Sequence, residues 1–277
     1  MNTPKCSFII SVYKDTESLD LILESLERQT MFPDEVIISE DGDSNEMSEY
    51  YAVAKVKFSK LNLVHLTQED IGWRKNRALN RAIVASKYDY LIFIDGDCVP
   101  FDTFVENHLY QAEHRIVLAG KRVELGKKLT DKLRTNNINI SHFTNHYLQY
   151  IPSLVKDKTR HLEDIIYLSC KSSFWKFVNL KVNFLIGCNW SCFKNDILKI
   201  NGFNEEYILP SIGEDVDIGQ RFRGLGIELK SCRNRANMIH LYHKKRFDNT
   251  QGKINSVIFE KTLAEKRFVC TNGIEKL

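Results

Sequence analysis

Four short, almost wholly apolar runs recur in the first 100 residues, and the first three are each followed by a stretch of helical spacing. No other feature constrains the fold as strongly. Residues 6–13, 35–39, 62–66 and 90–94 read as strands, and helices are expected over about residues 16–30, 45–58 and 73–86. Asp15 or Thr16 can cap the first helix, and Leu19, Leu23 and Leu26 recur at helical spacing within it. The fourth run, Tyr90-Leu91-Ile92-Phe93-Ile94, has no polar face, as expected for a strand buried on both sides. This β-α-β-α-β-α-β order predicts an α/β fold, an open doubly wound sheet flanked by helices. Ligands of such sheets sit outside the carboxyl ends of the strands.

Beyond residue 120 the pattern loosens. Residues 121–181 are rich in Lys, Asn, Ser and aromatics, and are expected to form helices and loops over the active edge of the sheet. Regular signals return at 184–191 (strand-like), 195–200 and 214–224 (helices), and 228–231 and 237–241 (extended). The tail at 256–267 reads as amphipathic, with Val257, Ile258 and Leu263 facing one way. The 43% hydrophobic content supports a sizeable core, and the 27% charged content argues against global disorder. A net charge of +3 is too small for a nucleic-acid binder, so no nucleic-acid partner is expected. The seven cysteines are scattered, without a CxxC pair, and are expected to be reduced thiols of a cytoplasmic protein. The N-terminus has no secretory pattern. No stretch approaches the about 20 apolar residues of a membrane span.

The chemistry concentrates at the predicted strand ends. Asp95 and Asp97 follow the fourth run and, two residues apart, point to one side. Two such close carboxylates call for a neutralising cation, and Mg²⁺ or Mn²⁺ meets that need while leaving positions open for phosphate oxygens. An acidic turn fits the same residues. Gly96 between them allows close approach of a ligand. Val12 and Tyr13 end the first strand, and Glu40 and Asp41 the second. Tyr13 could stack on a base, and either acid could accept from a uracil N3–H or a ribose hydroxyl. Arg74 and Lys75 stand near a helix start, where phosphate is favoured. Asp215, in a first turn with Glu214 and Asp217, is the candidate general base, with Glu214 holding an acceptor hydroxyl. Of the late histidines, His243 is preferred over His240 as a metal ligand because Lys244, Lys245 and Arg246 follow it. Their spacing of three suggests that one ligates while the other packs.

Assembled, these pieces resemble the inverting family 2 glycosyltransferases of the GT-A fold over about residues 5–250. The resemblance rests on Phe8-Ile9-Ile10-Ser11-Val12-Tyr13, Glu40-Asp41-Gly42, Asp70-Ile71-Gly72-Trp73-Arg74-Lys75, Phe93-Ile94-Asp95-Gly96-Asp97 and the late Gly213-Glu214-Asp215 with its histidine. The last part looks like the galactosyltransferase-type region of bacterial chondroitin-type polymerases. Two motifs depart from the usual pattern: Glu-Asp-Gly-Asp stands for Asp-Asp-Gly-Ser, and Ser-Ile precedes Gly-Glu-Asp.

The resemblance implies a Rossmann-like open mixed sheet and transfer from a nucleotide diphosphate sugar, a UDP-sugar, to a glycan or lipid-linked hydroxyl with inversion. Bacterial surface polysaccharide synthesis is the implied setting. Asp97 becomes the more direct metal ligand and Asp95 lies nearer the ribose. Glu40 and Asp41 contact the nucleobase, Asp215 is the base, Glu214 binds acceptor and His243 binds metal. Trp190, with Asn189 before it, would wall the sugar. Residues 1–120 become the nucleotide-sugar half, 121–250 the acceptor half and 251–277 a tail. That tail admits two readings: a helix docked on the domain, or peripheral contact with an anionic membrane at the cytoplasmic face. Two other functions stay open. One is a catalytically silent nucleotide-sugar-binding subunit. The other is a sugar-1-phosphate nucleotidyltransferase, which would need a Gly-rich loop where Ser11-Val12-Tyr13-Lys14-Asp15 stands.

Overall fold

A computed structural model describes residues 3–169, 182, 184–210, 214–244 and 249–277, with the side chains of 214 and 249–251 excepted. The expected opening is present. It runs β1 (Cys6–Val12), α1 (Thr16–Leu26), β2 (Glu35–Glu40), α2 (Asn45–Lys57), β3 (Leu63–Leu66), α3 (Lys75–Ala85) and β4 (Tyr90–Asp95). Asp15 caps α1 by accepting from the Ser18 N–H, and Ser44 caps α2 by accepting from Met47. Each satisfies a backbone donor that the helix leaves unpaired. The helix expected from residue 73 starts two residues later, with Arg74 as its cap residue.

β5 (Cys98–Pro100), α4 (Phe104–Tyr110), β6 (Ile116–Ala119), β7 (Val123–Glu124), α5 (Lys127–Arg134), α6 (Ile140–Asn145) and α7 (Ile151–Lys156) follow. Then come β8 (Trp190–Phe193), α8 (Lys194–Lys199), α9 (Glu214–Gly224), β9 (Glu228–Ser231), β10 (Met238–His240) and α10 (Asn249–Ala264). The main sheet has the order β3-β2-β1-β4-β8-β6-β9, and β5, β10 and β7 form a second, small one. β1 to β4 are parallel, whereas β8 runs antiparallel to both β4 and β6. The sheet is therefore open and mixed. Two apolar cores cover its faces, one including Phe8, Ile10, Ile92 and Phe104, the other Ile9, Phe93, Trp190 and Phe222. Period-2 alternation along β1 and β4 feeds both.

Two expectations are corrected. The strand foreseen at 184–191 is confined to Trp190–Phe193. The residues before it turn, because the Gly187 N–H is drawn to Asp215 Oδ2 at 2.8 Å and the Asn189 N–H to the Ile186 carbonyl at 3.2 Å. In the tail, Val257, Ile258 and Leu263 do not share a face, since about 100° per residue spreads them around the helix. Val257 and Leu263 are exposed, whereas Asn255 and Thr262 are buried. Asn255 Nδ2 donates to the Leu209 carbonyl, and Cys270 and Ile274 reach the Asn201 region, so the tail is docked on the domain. The six described cysteines are free and buried, as expected; Cys170 lies outside the described residues.

Candidate nucleotide-sugar and metal site

A cavity of about 540 Å³ opens where the carboxyl ends of β1, β2 and β4 meet. Val12 and Tyr13 bring the first turn to it, Asp41 the second, and Asp95, Gly96 and Asp97 the fourth. Lys75 and His243 complete the expected set. The strand register explains the convergence: Ser11 of β1 lies opposite both Ser39 of β2 and Asp95 of β4. Gly96 is required at its position, since a Cβ there would stand 2.7 Å from the Ser11 carbonyl oxygen. Ser11, Asp15, Asp70, Gly72, Trp73 and Pro210, none of which was given a site role from the sequence, also line the cavity. Gly72, at φ +65, turns the chain so that Trp73 reaches it. The run Asp70 to Lys75 had been noticed as a block, which was the available signal.

Asp97 is the electrostatic centre. His240 Nε2 lies 3.5 Å from its Oδ1 and His243 Nε2 lies 3.2 Å from its Oδ2. Both histidines therefore face the same carboxylate, which corrects the expectation that one of them packs. β10 ends at His240, and the chain leaves the strand in time to fold His243 back. Burial pushes the Asp97 carboxyl up, but hydrogen bonds and charges from the two imidazoles outweigh this and hold it well below the usual range. Cys98 Sγ donates to Asp97 Oδ1 at 3.5 Å. Burial, then the neighbouring Cys188, hold that thiol far above its ordinary pKa. Each imidazole approaches a different oxygen of Asp97, and among the described residues the ligand atoms of Asp97, Cys98 and His240 all lie within 4.8 Å of one another, a donor set that could hold a divalent cation.

Lys75 Nζ lies 2.8 Å from Asp95 Oδ1 at the cavity wall. The Arg74 guanidinium instead bonds back to the Glu69 carbonyl, and the Arg74 backbone N–H donates to Asp41 Oδ2 at 2.8 Å. Of the two cations expected to meet diphosphate, the structure brings only Lys75 to the cavity wall. Asp215 sits in the first turn of α9, fixed by the Gly187 N–H. A Cβ on Gly187 would lie 2.3 Å from Asp215 Oδ1, so no other residue fits there. Burial is the main cause that raises the Asp215 pKa, with Asp95 adding to it and Lys75, the Gly187 N–H and Arg122 opposing. That makes Asp215 a stronger base than an exposed aspartate. The Glu214 side chain and residues 211–213 and 245–248 lie outside the described parts, so the expectations placed on Glu214, Lys245 and Arg246 have no counterpart here.

Three expected residues are turned away from the cavity. Glu40 is 1% exposed; its carboxylate accepts from the Ser44 N–H and hydroxyl and meets His65 Nε2 at 2.8 Å. It holds the start of α2, while its neighbour Asp41 faces the cavity. Trp190 is fully buried and stacked on Phe93, with ring centroids 4.1 Å apart, so it cannot wall a sugar. Asn189 is equally buried. Its Nδ2 donates to the Lys121 and Ala236 carbonyls, so its Oδ1 must accept, and His108 Nε2–H lies 3.2 Å away. His108 Nδ1 then accepts from the Ser191 hydroxyl, which accepts in turn from Tyr90, both at 2.7 Å. Burial lowers the His108 pKa to about 3, consistent with a neutral ring in this chain.

The profile of glycosyl transferase family 2 matches residues 7–193, and that described as the N-terminal domain of galactosyltransferase matches residues 167–244. The chondroitin synthase of Pasteurella multocida (strain Pm70) is 28% identical over 235 residues, which cover 79% of this chain. The hyaluronan synthase of Pasteurella multocida is 27% identical over 241 residues, which cover 81%. In both cases the chain spans 23% of the relative's own length. Among solved structures, GalNAc-T7 with UDP, GalNAc and Mn²⁺ superposes with a TM-score of 0.64 at 11% identity, covering 94% of this chain and 48% of that one. The mannosyltransferase PcManGT of Pyrobaculum calidifontis, in complex with GDP-Man and Mn²⁺, superposes at 0.60 and 12% identity, covering 96% and 65%. The fold is of the GT-A type, and with the first profile matching well over half of its length the chain belongs to glycosyl transferase family 2.

Proposed function

We propose that this chain transfers a sugar, with inversion, from a UDP-sugar to a hydroxyl of a glycan or lipid-linked acceptor in bacterial surface polysaccharide synthesis. The observation that carries the reading is the meeting, at one sheet edge, of Asp97 with two histidines, of Lys75 with Asp95, and of Asp215 close enough to Asp95 and Lys75 to feel their charges. Residues 1–120 supply most of the donor side in this reading, and residues 121–250 supply the base and the histidines.

In this reading Asp41 and Tyr13 receive the nucleoside, with Trp73 as a further wall. Asp95 faces the ribose, and Lys75 exchanges its carboxylate partner for the diphosphate. Asp97, His240 and His243 would hold a divalent cation, Mn²⁺ or Mg²⁺. When bound, it supplies positive charge for the leaving diphosphate. Asp215 takes the proton of the acceptor hydroxyl as that oxygen bonds to the anomeric carbon. The bond from that carbon to the diphosphate oxygen breaks, and its electron pair leaves with the nucleoside diphosphate. The raised pKa of Asp215 favours this proton transfer.

The silent-subunit reading does not account for the histidines around Asp97 or for the glycine required beside Asp215. The nucleotidyltransferase reading lacks its Gly-rich loop after β1. A thermal-shift screen of UDP-, GDP- and TDP-sugars with and without Mn²⁺ tests the proposal. UDP-sugars should raise Tm only when Mn²⁺ is present, and Asp97→Ala should abolish the rise. A folded protein that none of these donors stabilises would sink it.

A further inference from the structure

An apolar stripe stands exposed on a short helical segment away from the cavity lining. A 3-10 turn at Tyr147–Tyr150 leads directly into α7. Along that continuous run Leu148, Ile151, Pro152 and Val155 recur at helical spacing, and all four are exposed, Leu148 at 63% and Val155 at 60%. Leu154 is the buried residue by which α7 is anchored. The helix thus buries one side and presents the opposite, equally apolar side to water. Contiguous exposed apolar surface of this kind marks an interaction site.

Its surroundings indicate the partner. Between Lys127 and Arg160 the chain carries seven Lys and Arg against two Asp, a balance of +5 that falls to +3 once the pairing of Arg134 with Asp15 and of Arg160 with Glu124, both at 3.1 Å, is counted. Both aspartates are engaged locally. Asp131 pairs with Lys127 at 3.5 Å, and Asp157 accepts the Lys128 and Leu129 N–H groups at the start of α5. Lys156 and Lys158 directly follow the stripe and are exposed. Apolar side chains at helical spacing edged by lysines are what an anionic lipid surface recognises: the apolar groups enter the headgroup boundary and the cations meet lipid phosphates.

The position relates this surface to the site. Asp157 caps α5, and Thr130 of α5 accepts the backbone N–H of Tyr242, the residue before His243. We propose that the Leu148-Ile151-Pro152-Val155 stripe with Lys156 and Lys158 is a docking surface for an anionic membrane. The α10 tail, already held by its own polar contacts, is not that surface. A membrane-borne acceptor would then be held on the flank of the molecule that carries the histidine loop. The surface itself does not depend on the transferase reading.

Vesicle flotation of the full chain tests it. Binding should occur to phosphatidylcholine vesicles containing phosphatidylglycerol, be absent with phosphatidylcholine alone, and fall at high salt. Leu148→Asp with Val155→Asp, and separately Lys156→Glu with Lys158→Glu, should each weaken binding about tenfold or more. Val257→Asp on α10 should leave it unchanged. Unaltered Tm for the charge-reversal pair excludes misfolding as the cause, and the Mn²⁺-dependent UDP-sugar shift, measured alongside, reports the transferase reading separately. The proposal is overturned if the wild type does not float with the anionic vesicles or if the stripe variants float equally well. It is also overturned if Val257→Asp removes binding, or if Val155→Asp instead dissolves a dimer in solution.

Discussion

Two histidine environments in this molecule could hardly be more different. His240 and His243 approach the ionised Asp97 at the wall of a cavity. His108 sits wholly enclosed in a chain of neutral donors and acceptors from Tyr90 through Ser191 to Asn189. The first cluster concentrates ligand atoms around one carboxylate and is suited to receive a cation. The second has each of those polar groups matched, and serves to lock β8 against β4 and α4. The contrast shows that a residue's place in a hydrogen-bond network, rather than its type, decides whether it is available for chemistry. Asn189 and Trp190, expected at a sugar, belong to the enclosed side.

The largest effect expected from breaking this contrast is on stability. Trp190→Ala should cost about 3–5 kcal/mol in urea unfolding, because it removes the largest fully buried side chain among the described residues from its stack on Phe93. Tyr13→Ala at the cavity wall should change stability by about 0.5 kcal/mol or less while weakening UDP binding. If the two variants were equally destabilised, the division into enclosed and open regions would be wrong.

Next in size is a pH effect. His108 has a folded-state pKa of about 3 against an ordinary 6.5. The unfolded chain therefore takes up a proton on His108 below pH 6.5 that the folded chain refuses until near pH 3. Stability should fall as pH drops through that window, by up to about 1.4 kcal/mol per pH unit from this group. His108→Gln should remove that part of the slope, while destabilising the protein at neutral pH. An unchanged slope would show that His108 is not held neutral.

The smallest effect separates two neighbours. Lys75→Ala should weaken UDP-sugar binding roughly tenfold, since the lysine faces the cavity, whereas Arg74→Ala should change it by less than about threefold. Isothermal titration with Mn²⁺ present measures both, and the reverse order would return the diphosphate role to Arg74.

The N-terminal half was far more legible in the sequence than the C-terminal half, for a physical reason. β1 to β4 are buried parallel strands joined by capped helices, and local apolar runs and cap residues encode such units. Asp41, Asp95 and Asp97 could be placed because strand ends point to one edge. Glu40 could not be separated from Asp41, since β2 is buried along its whole length and alternation gives no inside or outside. The other half is assembled from distant pieces. β8 inserts antiparallel between β4 and β6, which comes far earlier in the chain. The joint approach of His240 and His243 to Asp97 depends on where β10 stops, and no local pattern records that. The stripe at 148–155 was hidden within a segment read only as helices and loops.

The most direct test of the central claim separates binding from proton transfer. Asp215→Asn should bind UDP and Mn²⁺ as tightly as the wild type, because Asp97, His240, His243 and Lys75 are untouched. Its kcat for sugar transfer to an acceptor hydroxyl should nevertheless fall by about 10²-fold or more. If Asp215→Asn transferred sugar at the wild-type rate while bound to donor and metal, Asp215 would not be the base and the account of this site would be contradicted.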